Sequence, residues 1–494
     1  MNSTPNTPQR PARRGRVLGI LLLSCVLGIG GLLAILDFRS ADGPCDQTPT
    51  GIATDDYWLH FKVPAGLMPD HQFDGRPAKL QVHRVRPEYQ HGKCEQTPVR
   101  AAVLVHGRTL PGSVAFDLQG NSQGGNALSV QAGLARAGID TFAPSMLGYG
   151  RSTRFDHGLD DPDNASLRAY ASDGSCPFGE GCDRTHNPVF PLDQQGTVLA
   201  TNPLRGQRHA HSSNVRFGTT DVWARDIGQV VEDAVDRARP TDGKVTLLGY
   251  SLGGQRVARA LYPGNTHVPN TGAVIAKVNR VVFLSSIFGG PTEDSQPPGG
   301  FVSFPLTVGE RKGIDSGWAM PPSSEKDCTG HVVPGSPDQT WKQSMKEDVL
   351  GRDWGGTDAS HPAGVQRSPT FSGYGWNAAV AGQLTAPTLV VHGLDDKVLP
   401  ASNSTDIYGA LPSSMSNKVL VQVRCASHQL LTEGCSGTRC KPPAHTAAYG
   451  QEPDTPWDGP HATLKAALIE WITKGTFNGK ASGKFTIDTS GVAH

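Results

Sequence analysis

The sequence of 494 residues has no surplus of charge: 45 Lys and Arg are matched by 45 Asp and Glu, so the net charge is zero with the 17 histidines neutral. Proteins that bind nucleic acid normally carry a basic excess to neutralise phosphates, and this balance argues against that partner. It equally gives no sign of a long acidic tail. No internal repeat is found. No Cys-x2-Cys spacing occurs either, which argues against zinc. His209 and His211 lack a further histidine or a carboxylate at ligand spacing, so they read as solvated loop residues and no metal is expected; no organic cofactor is expected either.

What the chain has in quantity is glycine, with 59 residues, and proline, with 38. That share points to many turns and long connections rather than a helical rod. Apolar residues at 37% suffice for a sizeable core. At ~150 residues per domain, length alone suggests about three domains.

Residues 1–16 are polar and hold Arg10, Arg13, Arg14 and Arg16, and an aliphatic run follows from Val17 to Leu36. As a helix at ~1.5 Å per residue, that run spans about 30 Å, the thickness of a bilayer's hydrocarbon core. The arginines favour the cytoplasmic side, so 17–36 reads as a transmembrane signal-anchor with the remainder facing outward. A cleaved signal peptide is the alternative. Against it stand the length of the run and the lack of a small-x-small pattern after Leu36. A lipid-modified Cys25 is a third reading, weakened by the apolar residues beyond it. Cys25 lies inside the run, whereas Cys45, Cys94, Cys176, Cys182, Cys328, Cys425, Cys435 and Cys440 lie on the outer side. An even count beyond a membrane-targeting segment reads as disulfides. Cys176 with Cys182 and Cys435 with Cys440 have the spacing of local loop staples. By elimination, Cys45 with Cys94 and Cys328 with Cys425 are the long-range pairs.

Residues 37–98 are polar and turn-rich apart from one alternating run, Lys79 to Val85, and read as an amino-terminal extension. Short buried-type strands follow at Val99–Val105, Lys244–Gly249, Val278–Leu284, Pro387–Val391 and Lys418–Cys425. Helical stretches fall around Ala127–Ala137, from Thr220 to Pro240, at Gln255–Leu261 and at the closing stripe Leu464, Ala467, Leu468, Trp471 and Ile472. Such alternation predicts an α/β fold, a mainly parallel, doubly wound sheet with helices on both faces. Its chemistry belongs at the carboxyl ends of the strands.

Gly249-Tyr250-Ser251-Leu252-Gly253 sits where a strand meets a helix. That context holds a serine in a sharp turn with its hydroxyl exposed. Serine is a weak nucleophile and needs a base, itself oriented by a carboxylate. Asp396 follows the strand ending at Val391, and His428 follows the strand ending at Cys425. Asp395 is the alternative acid, with a turn residue as its ordinary role. His461 is the alternative base, with a helix-start residue as its ordinary role. Acyl transfer also needs donors for an oxyanion: the backbone N–H of Leu252 and, from the loop after His106-Gly107, that of Arg108. His106 itself reads as stabilising that turn.

Val103-Leu-Val-His-Gly107, Leu147-Gly-Tyr-Gly-Arg-Ser152, Gly249-Tyr-Ser-Leu-Gly-Gly254, Pro387-Thr-Leu-Val-Val-His-Gly393 with Asp396, and Ser427-His428 together resemble the landmarks of the α/β-hydrolase superfamily. The resemblance spans residues 99–428 and extends to about 475 with the closing helix. It implies Ser251 as nucleophile, Asp396 as acid, His428 as base, and Leu252 and Arg108 as oxyanion donors. Ser427 departs from the glycine often found before the histidine. The cysteine-bearing segment after His428 is longer than usual. A serine at 251, not an aspartate, argues against dehalogenase and epoxide-hydrolase chemistry. The loop His106–Gly112 lacks both the His-Gly-Gly-Pro-Gly and the His-Gly-Gly-Gly runs of other branches.

The expectation is an outward-facing serine hydrolase of carboxylic esters, esterase- or lipase-like, acting on a small-molecule ester or lipid-like substrate. The alternatives are an amide or peptide-bond hydrolase of the same fold and a non-catalytic surface-binding protein on that scaffold. In this organisation residues 99–494 form the hydrolase domain with insertions 154–217, 288–385 and 429–460. The second insertion sits where a cap belongs, and its Trp318, Trp341, Trp354 and Trp376 line an acyl site or form the cap's own core.

Overall fold

The apolar runs become strands of one sheet because they are buried on both faces. A computed structural model of the chain describes residues 49–67, 73–89, 99–120, 128–153, 220–290, 307–309, 311–353, 364, 366–368 and 375–494. In strand order along the chain, β1 is Gly51–Lys62, β2 Pro77–Glu88, β3 Arg100–Val105, β4 Ile139–Pro144, β5 Val245–Tyr250 and β6 Val278–Leu284. A separate two-stranded antiparallel pair is β7 (Thr307–Gly309) with β8 (Gln366–Ser368), and β9 is Thr388–Gly393, β10 Lys418–Val423 and β11 Gly483–Ile487. The main sheet runs β1-β2-β4-β3-β5-β6-β9-β10-β11. Pairing is antiparallel from β1 through β2 to β4 and parallel across the rest.

β3 shows how the two cores arise. Ala101, Val103 and Val105 enter one core, and Ala102 and Leu104 enter the other, as the two-residue period of a strand requires. The first core is closed by helices α3 (Thr220–Ala238), α4 (Leu252–Ala260) and α5 (Thr271–Ala276). The second is closed by α1 (Gly112–Phe116), α2 (Val130–Arg136) and the last long helix, Pro460–Lys474. On α3 the stripe Trp223, Ile227, Val230, Val231 and Ala234 is wholly buried, and the helix stops where Arg239 turns to φ 49° ahead of Pro240. The last long helix opens with Pro460 and ends on Gly475 at φ 70°, the usual asymmetry of helix ends. Mainly parallel pairing with helices on both faces is therefore what the alternation predicted.

Two readings change. Within the segment 37–98, expected as an amino-terminal extension, Gly51–Lys62 and Pro77–Glu88 belong to the sheet, because β1 and β2 pair with each other over their full lengths and β2 pairs with β4. The closing helix is not the last element, because β11 pairs in parallel with β10 beyond it. Residues 288–385, expected as an insertion in the position of a cap, hold α6 (Arg311–Ile314), α7 (Pro322–Glu325), α8 (Ser336–Glu347), α9 (Val349–Asp353) and α10 (Ala378–Ala381), and α11 (Ser402–Ala410) and α12 (Pro460–Lys474) follow.

Trp318 and Trp341 pack with Ile314 and Met345 in a small core of the inserted segment's own. Trp376 instead joins the main core, stacked on Phe283 with ring centroids 4.4 Å apart. The segments 1–16 and 17–36, the insertion 154–217, Trp354 and the cysteines at 25, 45, 94, 176 and 182 lie outside the described residues. Among the described residues no helix is long and apolar enough to cross a membrane.

Candidate active site

Ser251 stands between β5 and α4 at φ 54° and ψ −120°, a left-handed backbone conformation that costs a non-glycine residue free energy. The surroundings hold it there: its N–H donates to Leu284 O at 2.9 Å, and α4 begins at the next residue. Gly253 allows the turn to close against the neighbouring strand, since a Cβ there would lie 2.4 Å from Val105 O. The loop after β3 comes equally near. A Cβ on Gly107 would meet Ser251 Cβ at 2.8 Å.

β9 ends at Gly393 and delivers Asp395 and Asp396; β10 ends at Val423 and delivers His428. His428 Nε2 lies 3.0 Å from Ser251 Oγ, and its Nδ1 lies 2.8 Å from Asp396 Oδ2. With the Nδ1–H donated to the carboxylate, Nε2 is left to accept from the serine hydroxyl. Tyr250 steadies this imidazole by donating its hydroxyl to His428 O at 3.1 Å, with the two rings 5.3 Å apart. Asp396 Oδ1 accepts the N–H groups of Val398 and Leu399, both at 2.8 Å. Burial alone would raise the Asp396 carboxyl, but hydrogen bonds from His392 and His428 outweigh it and hold the group well below its ordinary value. Asp396 is therefore ionised at neutral pH.

Asp395 does not reach the imidazole: its Oδ2 accepts Cys425 N–H at 2.7 Å and so ties the two strand-end turns together. His461 does not reach Ser251 either. Its Nδ1 lies 2.6 Å from Glu433 O at the start of α12, and burial with nearby Lys465 lowers it to about 4. His106 is fully buried, with Nδ1 2.8 Å from Gly107 O and Nε2 accepting Met146 N–H at 3.0 Å. Burial, with the Arg256 charge adding, holds His106 well below its usual range, so it is a neutral turn anchor. Leu252 is the first residue of α4, so its N–H has no acceptor within the helix, and the loop bearing exposed Arg108 abuts Ser251 through Gly107.

One site feature escaped the sequence. Glu433, fully buried, accepts Ser427 N–H at 2.8 Å on one oxygen and meets His331 Nδ1 at 2.8 Å with the other. Burial raises its carboxyl and the His331 contact opposes that shift. Ser427, standing where glycine is common, donates its hydroxyl to Gly317 O at 3.1 Å and accepts Gln429 N–H at 3.1 Å. The departure from glycine thus ties the loop bearing His428 to the inserted segment. Tyr250 was visible as the aromatic inside the Gly-x-Ser-x-Gly motif. Glu433 had no sequence signal beyond its charge.

Disulfides join Cys328 to Cys425 and Cys435 to Cys440. Among the described residues, Cys328, Asp395 and Cys425 form a cluster with metal-ligand atoms close together, but its two sulfurs are bonded to each other. As a disulfide they supply no thiolate ligand. A cavity of about 530 Å³ near Tyr449, Ala466, Glu470 and Val492 includes none of the residues around Ser251.

A parallel sheet wound on both faces, with a strained serine, a histidine and a carboxylate linked at the strand ends, defines a hydrolase-type α/β protein. A family model described as the alpha/beta hydrolase family matches residues 102–434, and the chain belongs to that family and is a hydrolase of that fold. Comparison with curated proteins gives no match. Similar solved structures include bromoperoxidase from Bacillus anthracis, 16% identical, with 72% of this chain and 90% of that one covered and a TM-score of 0.34. A soluble variant of monoglyceride lipase from Saccharomyces cerevisiae with a substrate analog is 14% identical, covering 83% and 95%, at a TM-score of 0.39. Monoacylglycerol lipase of Paleococcus ferrophilus is 14% identical, covering 85% and 100%, at a TM-score of 0.32.

Proposed function

We propose that the protein hydrolyses carboxylic esters through an acyl-enzyme on Ser251. The observation that carries this reading is the unbroken hydrogen-bonded line from Ser251 Oγ through His428 to Asp396. Ser251 Oγ attacks the ester carbonyl while His428 Nε2 takes its proton. Ionised Asp396 holds the tautomer and stabilises the imidazolium that forms. The N–H groups of Leu252 and Arg108 receive the tetrahedral oxyanion. Collapse expels the alcohol, protonated by His428. Water then attacks the acyl-enzyme by the same route, releasing the acid and regenerating Ser251.

The place of action belongs to the same proposal: residues 17–36 anchor the chain in a membrane with the hydrolase outside the cytoplasm. The Cys328–Cys425 and Cys435–Cys440 bridges support an oxidising compartment. Protease added to intact cells is expected to digest the hydrolase, and protection from it would refute that placement.

The decisive experiment labels the protein lacking residues 1–36 with a fluorophosphonate beside a Ser251→Ala control. Labelling is expected to vanish in the variant. Equal labelling of both, or none of either, would overturn the serine mechanism and favour a binding role. Paired acyl esters and amides then separate ester from amide preference, with esters expected to turn over faster.

A further inference from the structure

Behind the serine lies a buried charge that the mechanism above leaves unused. Arg256 lies one turn into α4 and is only 1% exposed. Its Nη1 donates to His106 O at 3.1 Å and approaches Gly107 O at 3.5 Å, while Nη2 donates to Tyr149 Oη at 3.1 Å. The guanidinium carbon lies 4.6 Å from the Trp223 ring centre and 5.2 Å from that of Tyr149, so aromatic faces wall it in. Tyr149 in turn meets His106 edge-on, with centroids 4.6 Å apart.

We infer that Arg256 is a positioning residue that sets, through the Gly107–Arg108 peptide, the oxyanion donor at Arg108. The inference rests on the Ser251 ester reading and deepens it. The Gly107 carbonyl and the Arg108 N–H belong to one planar trans peptide, so they point in opposite directions. The carbonyl end is held from the protein interior twice, by His106 Nδ1–H at 2.8 Å and by Arg256. The N–H end is thereby turned to the exposed side of the loop that abuts Ser251. His106 can supply only that one N–H, because its Nε2 accepts Met146 N–H. Two carbonyls in succession, those of His106 and Gly107, then face the guanidinium. A cation bonded to a carbonyl also polarises its amide, which strengthens the N–H as a donor to a developing negative oxygen. A neutral residue of equal bulk would fill the space but supply neither effect.

The test compares an oxoester with its thionoester, whose sulfur anion draws less from hydrogen-bond donors. It uses the full-length protein in detergent, with Arg256→Met, Arg256→Lys and Tyr149→Phe. In Arg256→Met, kcat on the oxoester is expected to fall about 10- to 100-fold, short of the loss from deleting a donor outright, with KM changed less than about threefold. The thionoester is expected to lose less, so the oxoester-to-thionoester rate ratio narrows by about tenfold. Arg256→Lys restores part of the ratio. Tyr149→Phe removes only the hydroxyl that orients Nη2 and narrows the ratio slightly, so it decides the matter if Arg256→Met does not fold. An equal loss on both substrates, or an unchanged ratio in Tyr149→Phe together with Arg256→Lys, would overturn the inference. Turnover of the oxoester by the unaltered protein tests the ester reading separately.

Discussion

At the scale of the residue, neighbouring side chains of the same kind are separated by one backbone turn into different tasks. Asp395 and Asp396 are adjacent, yet one bonds Cys425 N–H and the other His428. Asp396→Asn is expected to cut ester turnover by about four orders of magnitude, by favouring the wrong imidazole tautomer. Asp395→Asn is expected to act mainly on thermal stability, and kcat with melting curves for both variants checks this division.

His83 offers a test at the same scale. It lies between Asp56 at 2.9 Å and Asp117 at 2.8 Å, and so ties the β1–β2 hairpin to the end of α1. Burial lowers its pKa, but hydrogen bonds to Asp117 and Asp56 outweigh burial and raise it to about 9. Its folded value is above the unfolded value of ~6.5, so its stabilisation is complete below that pH and drains away as pH rises through about 9. The melting temperature is expected to fall between pH 6.5 and 9.5 more steeply in the unaltered protein than in His83→Gln. Parallel slopes would contradict the linkage. The order Ser251, Asp396, His428 was legible because each follows an apolar run that ends in a turn. Glu433 and Arg256 were not, because a buried charge looks in sequence like any surface charge until its partners are known.

At the scale of the element, legibility followed how much apolar surface each one buries. α3 announced itself through six apolar residues at helical spacing, Trp223, Ile227, Val230, Val231, Ala234 and Val235. α8 did not, because Thr340 and Ser344 share its buried face with Trp341 and Met345. β1 does alternate, with Tyr57, Leu59 and Phe61 packed against the core, but its charged and polar partners Asp56 and His60 disguised it. β11 offers only Phe485 and Ile487 to the core. The tie between the inserted segment and the base loop belongs to this scale as well. The Cys328–Cys425 bridge, the Ser427–Gly317 hydrogen bond and the Glu433–His331 contact all grip the loop that carries His428. Replacing both Cys328 and Cys425 by Ser is expected to lower unfolding stability by about 2–4 kcal/mol, since the bridge closes a long loop. Urea titration measures that loss. Ester turnover at 25 °C is expected to fall with it, and unchanged stability would show that the bridge is redundant.

At the scale of the whole molecule, the alternation of strands and helices made the parallel centre of the sheet legible. Its edges were only partly so: the alternating run Lys79–Val85 marks β2, whereas β1 and β11 depend on pairing partners that sequence does not display. Length suggested several domains, yet the described residues, all from 49 onward, fall in one compact unit. The Cys328–Cys425 bridge makes a covalent ring within that unit, closed across 97 positions of sequence. Asp396 lies on the ring, His428 three residues beyond its closure, and Ser251 outside it. A single protease cut anywhere inside the ring leaves two pieces still joined through sulfur. Gel electrophoresis of such a nicked sample is expected to show one band without reductant and two with it. Ester turnover is expected to survive the cut until the sulfurs part. For the acid and the base, sulfur would then stand in for the peptide bond that was lost.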